Sequence, residues 1–161
     1  MRSINAFLLL FLLTTSVFAA KRLDEKNITT VLDSVNIAKE HKKLKSMTPY
    51  FLSRTSVSLT DQNIESIETK RFTFDEYKRH LAAKWKRTQS NLIEVKERVF
   101  NIDPEGKSAL VNTTLLQTIE IDGIRTATTV YETTGLKLIK GKVYINYYSA
   151  RTMLNTSLRV N

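Results

Sequence analysis

Ile119-Glu120-Ile121-Asp122-Gly123-Ile124-Arg125-Thr126 is the stretch that decides the fold. Glycine takes positive φ at no steric cost and aspartate tolerates it. Asp122-Gly123 between two alternating runs is therefore a strong two-residue hairpin signal. The period of two persists on both sides. Upstream lie runs 92–102 and 109–121, joined by the turn Asp103-Pro104-Glu105-Gly106; downstream lie runs 124–139 and 143–153, joined at Lys140-Gly141. The threonine density over 126–134 suits exposed or half-buried β surface. The second half of the chain thus reads as a long antiparallel meander.

The first half reads as helix. Thr73-Phe74-Asp75-Glu76 is a capping box, in which the Thr73 hydroxyl accepts from the Glu76 amide and the Glu76 side chain reaches back. It opens a helix to about Thr88 whose apolar face carries Phe74, Tyr77, Leu81 and Trp85, with Lys78, Arg79, Lys84, Lys86 and Arg87 around the remainder. Residues 28–47 keep a helical period through Ile28, Val31, Leu32, Val35 and Ala38. Asn27 is the expected N-cap, Pro49 the stop, and a break is expected near His41. Residues 50–59 and 64–69 read as short strands. Helices that cover one face of a sheet make an α+β layer architecture.

Residues 1–19 read as a cleavable secretory signal peptide. Arg2 is the basic n-region, Ala6 to Leu13 the apolar core, and Val17-Phe18-Ala19 the cleavage site. Residues 20–161 are expected to form a single domain with its core at about 25–153, exported to the periplasm or secreted. Removing residues 1–19 takes away Arg2 alone among the charges, leaving 24 basic residues against 16 acidic ones, a net +8. Two dense stretches, 39–45 and 78–87, carry much of the excess. They read as solvated helix faces with at most weak attraction for an anionic surface. No nucleic-acid motif accompanies them. The chain has no cysteine, which excludes disulfides and thiolate chemistry, and its two histidines, His41 and His80, show no metal-ligand spacing. No cofactor motif is present either. Sequons stand at Asn27, Asn112 and Asn155.

Three weak motifs carry a resemblance: Thr73-x-x-Glu76-Tyr77, Ala109-x-Val111 after the Asp-Pro-Glu-Gly turn, and the closing Gly141-Lys142-Val143-Tyr144-Ile145. In this element order they resemble the nuclear transport factor 2-like superfamily, which includes the SnoaL-like cyclases. The resemblance implies a cone-shaped, strongly curved antiparallel sheet packed against N-terminal helices, wrapped around a pocket. It also implies a homodimer as the usual assembly. Members often close with Gly-x-Trp-x-Ile and then a histidine. Here Val143 holds the tryptophan position and no histidine follows.

Alternation suggests which residues line such a pocket. On run 92–102 the more apolar face is Ile93, Val95, Glu97 and Val99, which sets Glu97 in an apolar row. On run 109–121 Thr113 and Gln117 are the polar exceptions, and on the last run Val143, Ile145 and Tyr147 face inward. Glu97, Gln117 and Tyr147 would then converge, with Trp85 from the helix. A carboxylate in an apolar pocket is a candidate general acid or base, so Glu97 is the one catalytic candidate. The expected function is a non-catalytic exported domain that binds a small apolar ligand or a partner protein. The alternatives are an isomerase- or dehydratase-type enzyme using the pocket carboxylate, and a subunit of an envelope or secretion assembly.

Overall fold

The computed structural model describes residues 20–62 and 66–159. The expected signal peptide, residues 1–19, lies outside the described residues. The chain builds two helices, α1 (Glu25–Glu40) and α2 (Leu44–Met47), then a 3-10 turn (Thr48–Tyr50) and strands β1 (Phe51–Gln62) and β2 (Ile67–Thr73). Helix α3 (Phe74–Arg87) comes next, and then β3 (Thr88–Ile102), β4 (Ser108–Ile121), β5 (Ile124–Ile139) and β6 (Lys142–Arg159).

Local chemistry explains most boundaries. The α3 capping box is present: Glu76 N donates to Thr73 Oγ1 at 3.3 Å and Thr73 N donates to Glu76 Oε2 at 2.8 Å. The N-cap of α1 is Asp24, not Asn27. Asn27 stands at the third helical position, donating its amide to Asp24 Oδ1 at 2.7 Å and accepting from Asp24 N at 3.2 Å. Asparagine thus completes a capping box that begins three residues earlier than expected. The helical run does break at His41, where Lys42 adopts φ 56° and the chain turns into α2. Both two-residue hairpins form with positive φ at each central residue, 52° and 75° at Asp122-Gly123 and 49° and 75° at Lys140-Gly141.

The six strands form one open sheet in the order β2-β1-β6-β5-β4-β3. Every neighbouring pair is antiparallel except β1 and β6, which run parallel. The sheet is therefore mixed at one place. That pair joins segments on either side of α3 and the meander, so no turn signal announces it. Register shifts interrupt the β3–β4 ladder between Val95 and Glu97 and the β5–β6 ladder between Gly135 and Leu136. Such bulges bend a strand and increase its twist, which suits a sheet that curves around a core. At the second shift a Cβ on Gly135 would lie 3.0 Å from Tyr147 Cβ and 3.2 Å from Asn146 Oδ1, so any larger residue there would press on both neighbours.

The core lies between the concave face and the helices. Ile28, Val31, Leu32 and Val35 of α1 and Phe74, Tyr77, Leu81 and Trp85 of α3 are buried against Val57, Val111, Leu115, Val130, Leu136 and Ile145 of the sheet. Behind β3 the Asp103 turn is held by its own carboxylate, which accepts from Ser108 Oγ at 2.7 Å and from the Lys107 and Ser108 amides. The Ser108 hydroxyl first, and then those amides, bring the Asp103 pKa down to about 2. A depressed carboxyl pKa contributes stability that is present above the unfolded value of 3.8 and is lost as the pH falls toward 2. The Asp103 carboxyl carbon is therefore expected to titrate near 2 by NMR, and Ser108→Ala to move that midpoint upward. A midpoint at the ordinary aspartate value would refute the turn geometry.

Candidate functional site

The C-terminal end of α1 is fastened to β3 by side chains. Asn91 Nδ2 donates to the Lys39 carbonyl at 3.0 Å, and Ile93 N donates to Glu40 Oε1 at 2.7 Å. The first reaches a carbonyl of the last helical turn, the second ties a strand amide to a helix side chain, and together they fix the place from which Lys39 enters the core. Lys39 and Glu132 are 7% and 8% exposed. Lys39 Nζ donates to Glu132 Oε1 and to Tyr148 Oη, each at 2.9 Å, and Tyr148 Oη donates to the same Glu132 oxygen. The ammonium also lies 4.5 Å from the Tyr148 ring centroid. Tyr77 packs its ring 5.9 Å from that of Tyr148.

Burial is the largest influence on Lys39 and by itself lowers the pKa. Glu132 and Tyr77 outweigh it, so the net shift is upward and the side chain remains an ammonium. Burial and then the Glu132 charge push the Tyr148 hydroxyl well above the ordinary tyrosine value. Burial likewise raises Tyr77, against the pull of Lys39. The Lys39 ammonium, the Glu132 carboxyl group and the phenols of Tyr77 and Tyr148 share one buried cluster.

This cluster is the floor of a cavity of about 100 Å³ between α1, α3 and the concave face. Trp85, Leu81, Ile93, Leu115 and Val130 give it apolar walls. One polar strip crosses them, where Gln117 Nε2 donates to Asn91 Oδ1 at 2.7 Å. Asp61, His80 and Lys84 ring its exposed end. His80 packs its ring 5.1 Å from Phe72. Partial burial first, and then Lys84 and Lys70, lower its pKa, so the imidazole is neutral near pH 7. No group of three or more acidic, histidine or cysteine side chains suited to a metal ion occurs among the described residues.

Of the four side chains expected in the pocket, Trp85 and Gln117 line it. Glu97 and Tyr147 do not. Glu97 is exposed, and Tyr147 is 38% exposed on the opposite face beside Gly135 and Leu110. Both displacements have one cause. Val95 pairs with Leu115 and Glu97 with Thr114, so Lys96 is an extra residue that reverses the alternation. In β6, Leu136 pairs with Ile145 and Gly135 with Tyr147, so Asn146 is extra and Tyr148 turns inward instead. A one-residue slip exchanges the two faces of a strand. The residues missed by the sequence reading are Lys39, Tyr77, Asn91, Glu132 and Tyr148. Signals for three of them exist. Tyr77 stands on the apolar face of the capped helix, beside Phe74, Leu81 and Trp85. Glu132 falls on the same parity as Val130, Thr134 and Leu136, and Lys39 follows Val35 at the fourth position of the apolar helix face.

No protein-family model matches the chain, and no curated protein matches it in sequence. Solved structures do match in shape. A candidate scytalone dehydratase from Novosphingobium aromaticivorans has a TM-score of 0.63 at 12% identity, covering 84% of this chain and 87% of that one. The hexachlorocyclohexane dehydrochlorinase LinA-type3 from Novosphingobium barchaimii has a TM-score of 0.65 at 9% identity, covering 84% and 88%. A protein of unknown function with a cystatin-like fold from Nostoc punctiforme has a TM-score of 0.62 at 11% identity, covering 83% and 93%. Likeness at such identities speaks to fold and not to chemistry. The chain has the open, curved α+β cone fold of the nuclear transport factor 2-like and SnoaL-like proteins.

Proposed function

We propose that this protein is an exported binding domain for a small, mainly apolar molecule, released from its signal peptide after Ala19. One observation carries the binding reading: an apolar-walled cavity with a few convergent polar groups opens beside Trp85. Apolar walls with a few convergent polar groups are the lining of a small-molecule site, here on a scale below the roughly 300–1,000 Å³ of most such sites. The floor supports binding over catalysis, because the Lys39 ammonium, the Tyr148 hydroxyl and Glu132 Oε1 are engaged with one another. Support for export is the sequence pattern of residues 1–19. It is consistent with Ala20 N donating to the Gly141 carbonyl at 2.9 Å and with burial of Leu23, which tie the next residues to the fold.

Trp85 is the only tryptophan, so its fluorescence reports the cavity directly. Titration with small apolar fragments is expected to give a saturable change in Trp85 emission. Leu115→Phe, which fills the chamber, is expected to abolish that change while leaving the far-ultraviolet circular dichroism intact. If no fragment produces a saturable change at millimolar concentration, the binding reading fails.

A second reading rests on His80. Its neutral imidazole stands at the cavity rim, where it is placed to take a proton from a bound molecule. Two of the similar structures are described as a dehydratase and a dehydrochlorinase, so elimination is the reaction class to test. Turnover that disappears in His80→Gln, with fragment binding retained, would move the protein from binder to enzyme.

A further inference from the structure

The cavity presents two acceptor oxygens that no donor among the described residues occupies. Glu132 is nine-tenths buried, and both donors that reach it, Lys39 Nζ and Tyr148 Oη, bind the same oxygen, Oε1. No hydrogen bond to Oε2 is made from the described residues. The neighbouring Gln117 repeats the situation more mildly. Its amide nitrogen donates to Asn91 Oδ1, while its Oε1 has no donor among the described residues. Both side chains line the same chamber. Neither oxygen is among the buried side-chain atoms of the described residues that lack a partner, so each is open to the cavity, where an incoming donor can reach it.

We propose that the ligand is a neutral hydrogen-bond donor, a small alcohol or primary amide, whose O–H or N–H group binds Glu132 Oε2 and Gln117 Oε1. This rests on the cavity-binding reading above and narrows it. Charge selects against ions of either sign. An anion would meet Glu132, and a cation would pass Asp61 and Lys84, whose opposite charges offset at the rim, to meet Lys39 inside. Glu132 already has its counter-charge in Lys39, so it requires a proton donor and not a second cation. Size sets the other limit. The chamber of about 100 Å³ is smaller than the roughly 150 Å³ that holds a benzene ring, so about four heavy atoms fit inside. A longer ligand would leave its tail along Trp85 and the rim.

The test is a matched series on the unmodified protein, read by Trp85 fluorescence and by saturation-transfer NMR: 1-butanol, isobutyramide, 2-butanone, butyrate and butylammonium. The alcohol and the amide are expected to bind at least tenfold tighter than the ketone, which only accepts hydrogen bonds, and tighter than either ion. Equal binding of butanol and butanone would overturn the donor assignment and leave the binding reading standing, as would tighter binding of an ion. No saturable response from any of the five would overturn both. The double variant Lys39→Met with Glu132→Gln removes both charges together, and is expected to lose most of the tenfold preference. The wild-type series decides the question even where that variant does not fold.

Discussion

Lys39→Met is expected to destabilise the protein by about 3–5 kcal/mol, the usual cost of removing one partner from a buried ion pair. The size follows from what remains. Glu132 is 8% exposed and has no other cation within ion-pairing distance among the described residues. Its charge would stay in a low-dielectric site with the Tyr148 hydroxyl as its one donor. Replacing both partners tells burial apart from pairing. Lys39→Met with Glu132→Leu is expected to return to within about 1 kcal/mol of the wild type or above it, because well-packed apolar residues often match a buried pair. Urea unfolding of the two single variants and the double variant closes the cycle. A single-variant loss below about 1 kcal/mol would mean that the pair is hydrated and the cluster is not dry. The pH dependence has a definite sign. Because the Lys39 pKa is raised in the folded state, its contribution is complete below the unfolded value of 10.5 and declines as the pH rises through the folded one.

The sequence and the structure agree at most local signals, the α1 cap at Asp24 in place of Asn27 being an exception. The Thr73 capping box, the break after α1 and the two glycine hairpins are decided by neighbours within four residues, and each forms where the residues indicate. The α+β layering and the cone follow from their order along the chain. Agreement ends at long range. The parallel β1–β6 pair joins segments nearly a hundred residues apart with no turn between them. The site suffers most, because face assignment along a strand of 14 to 18 residues depends on an unbroken alternation. One bulge at Lys96 turns Glu97 to solvent, and one at Asn146 exchanges Tyr147 for Tyr148. Trp85 and Gln117 keep their expected places because no shift lies between them and the local pattern that assigned them. Lys39 is hidden for a different reason. A lysine on a helix reads as surface even at a position of the apolar face, and its partner Glu132 stands 93 residues later on the sheet.

Phe51→Ala is expected to cost about 3–5 kcal/mol as well, by a different route. Phe51 opens β1 at the point where the chain enters the sheet, and it is 6% exposed. Its ring stacks on Phe74, the first residue of α3, with centroids 4.6 Å apart and planes 8° from parallel. It also meets the Tyr148 ring edge-on at 6.4 Å. One side chain therefore clamps the start of the cavity-covering helix to the strand that carries the floor tyrosine. Truncation removes the transfer energy of a buried ring, leaves a void, and forfeits about 0.5–1.5 kcal/mol for each aromatic pair. Phe51→Leu keeps much of the volume and should lose about 1–2 kcal/mol. The structural consequence reaches the site, since α3 carries Tyr77, Leu81 and Trp85 into the cavity wall. Phe51→Ala is thus expected to weaken fragment binding at Trp85 under conditions where circular dichroism shows the chain folded, and Phe51→Leu to weaken it less. Large destabilisation with unchanged binding would show that α3 holds its place through Leu81 and Trp85 alone, and that the cavity is independent of the Phe51 clamp.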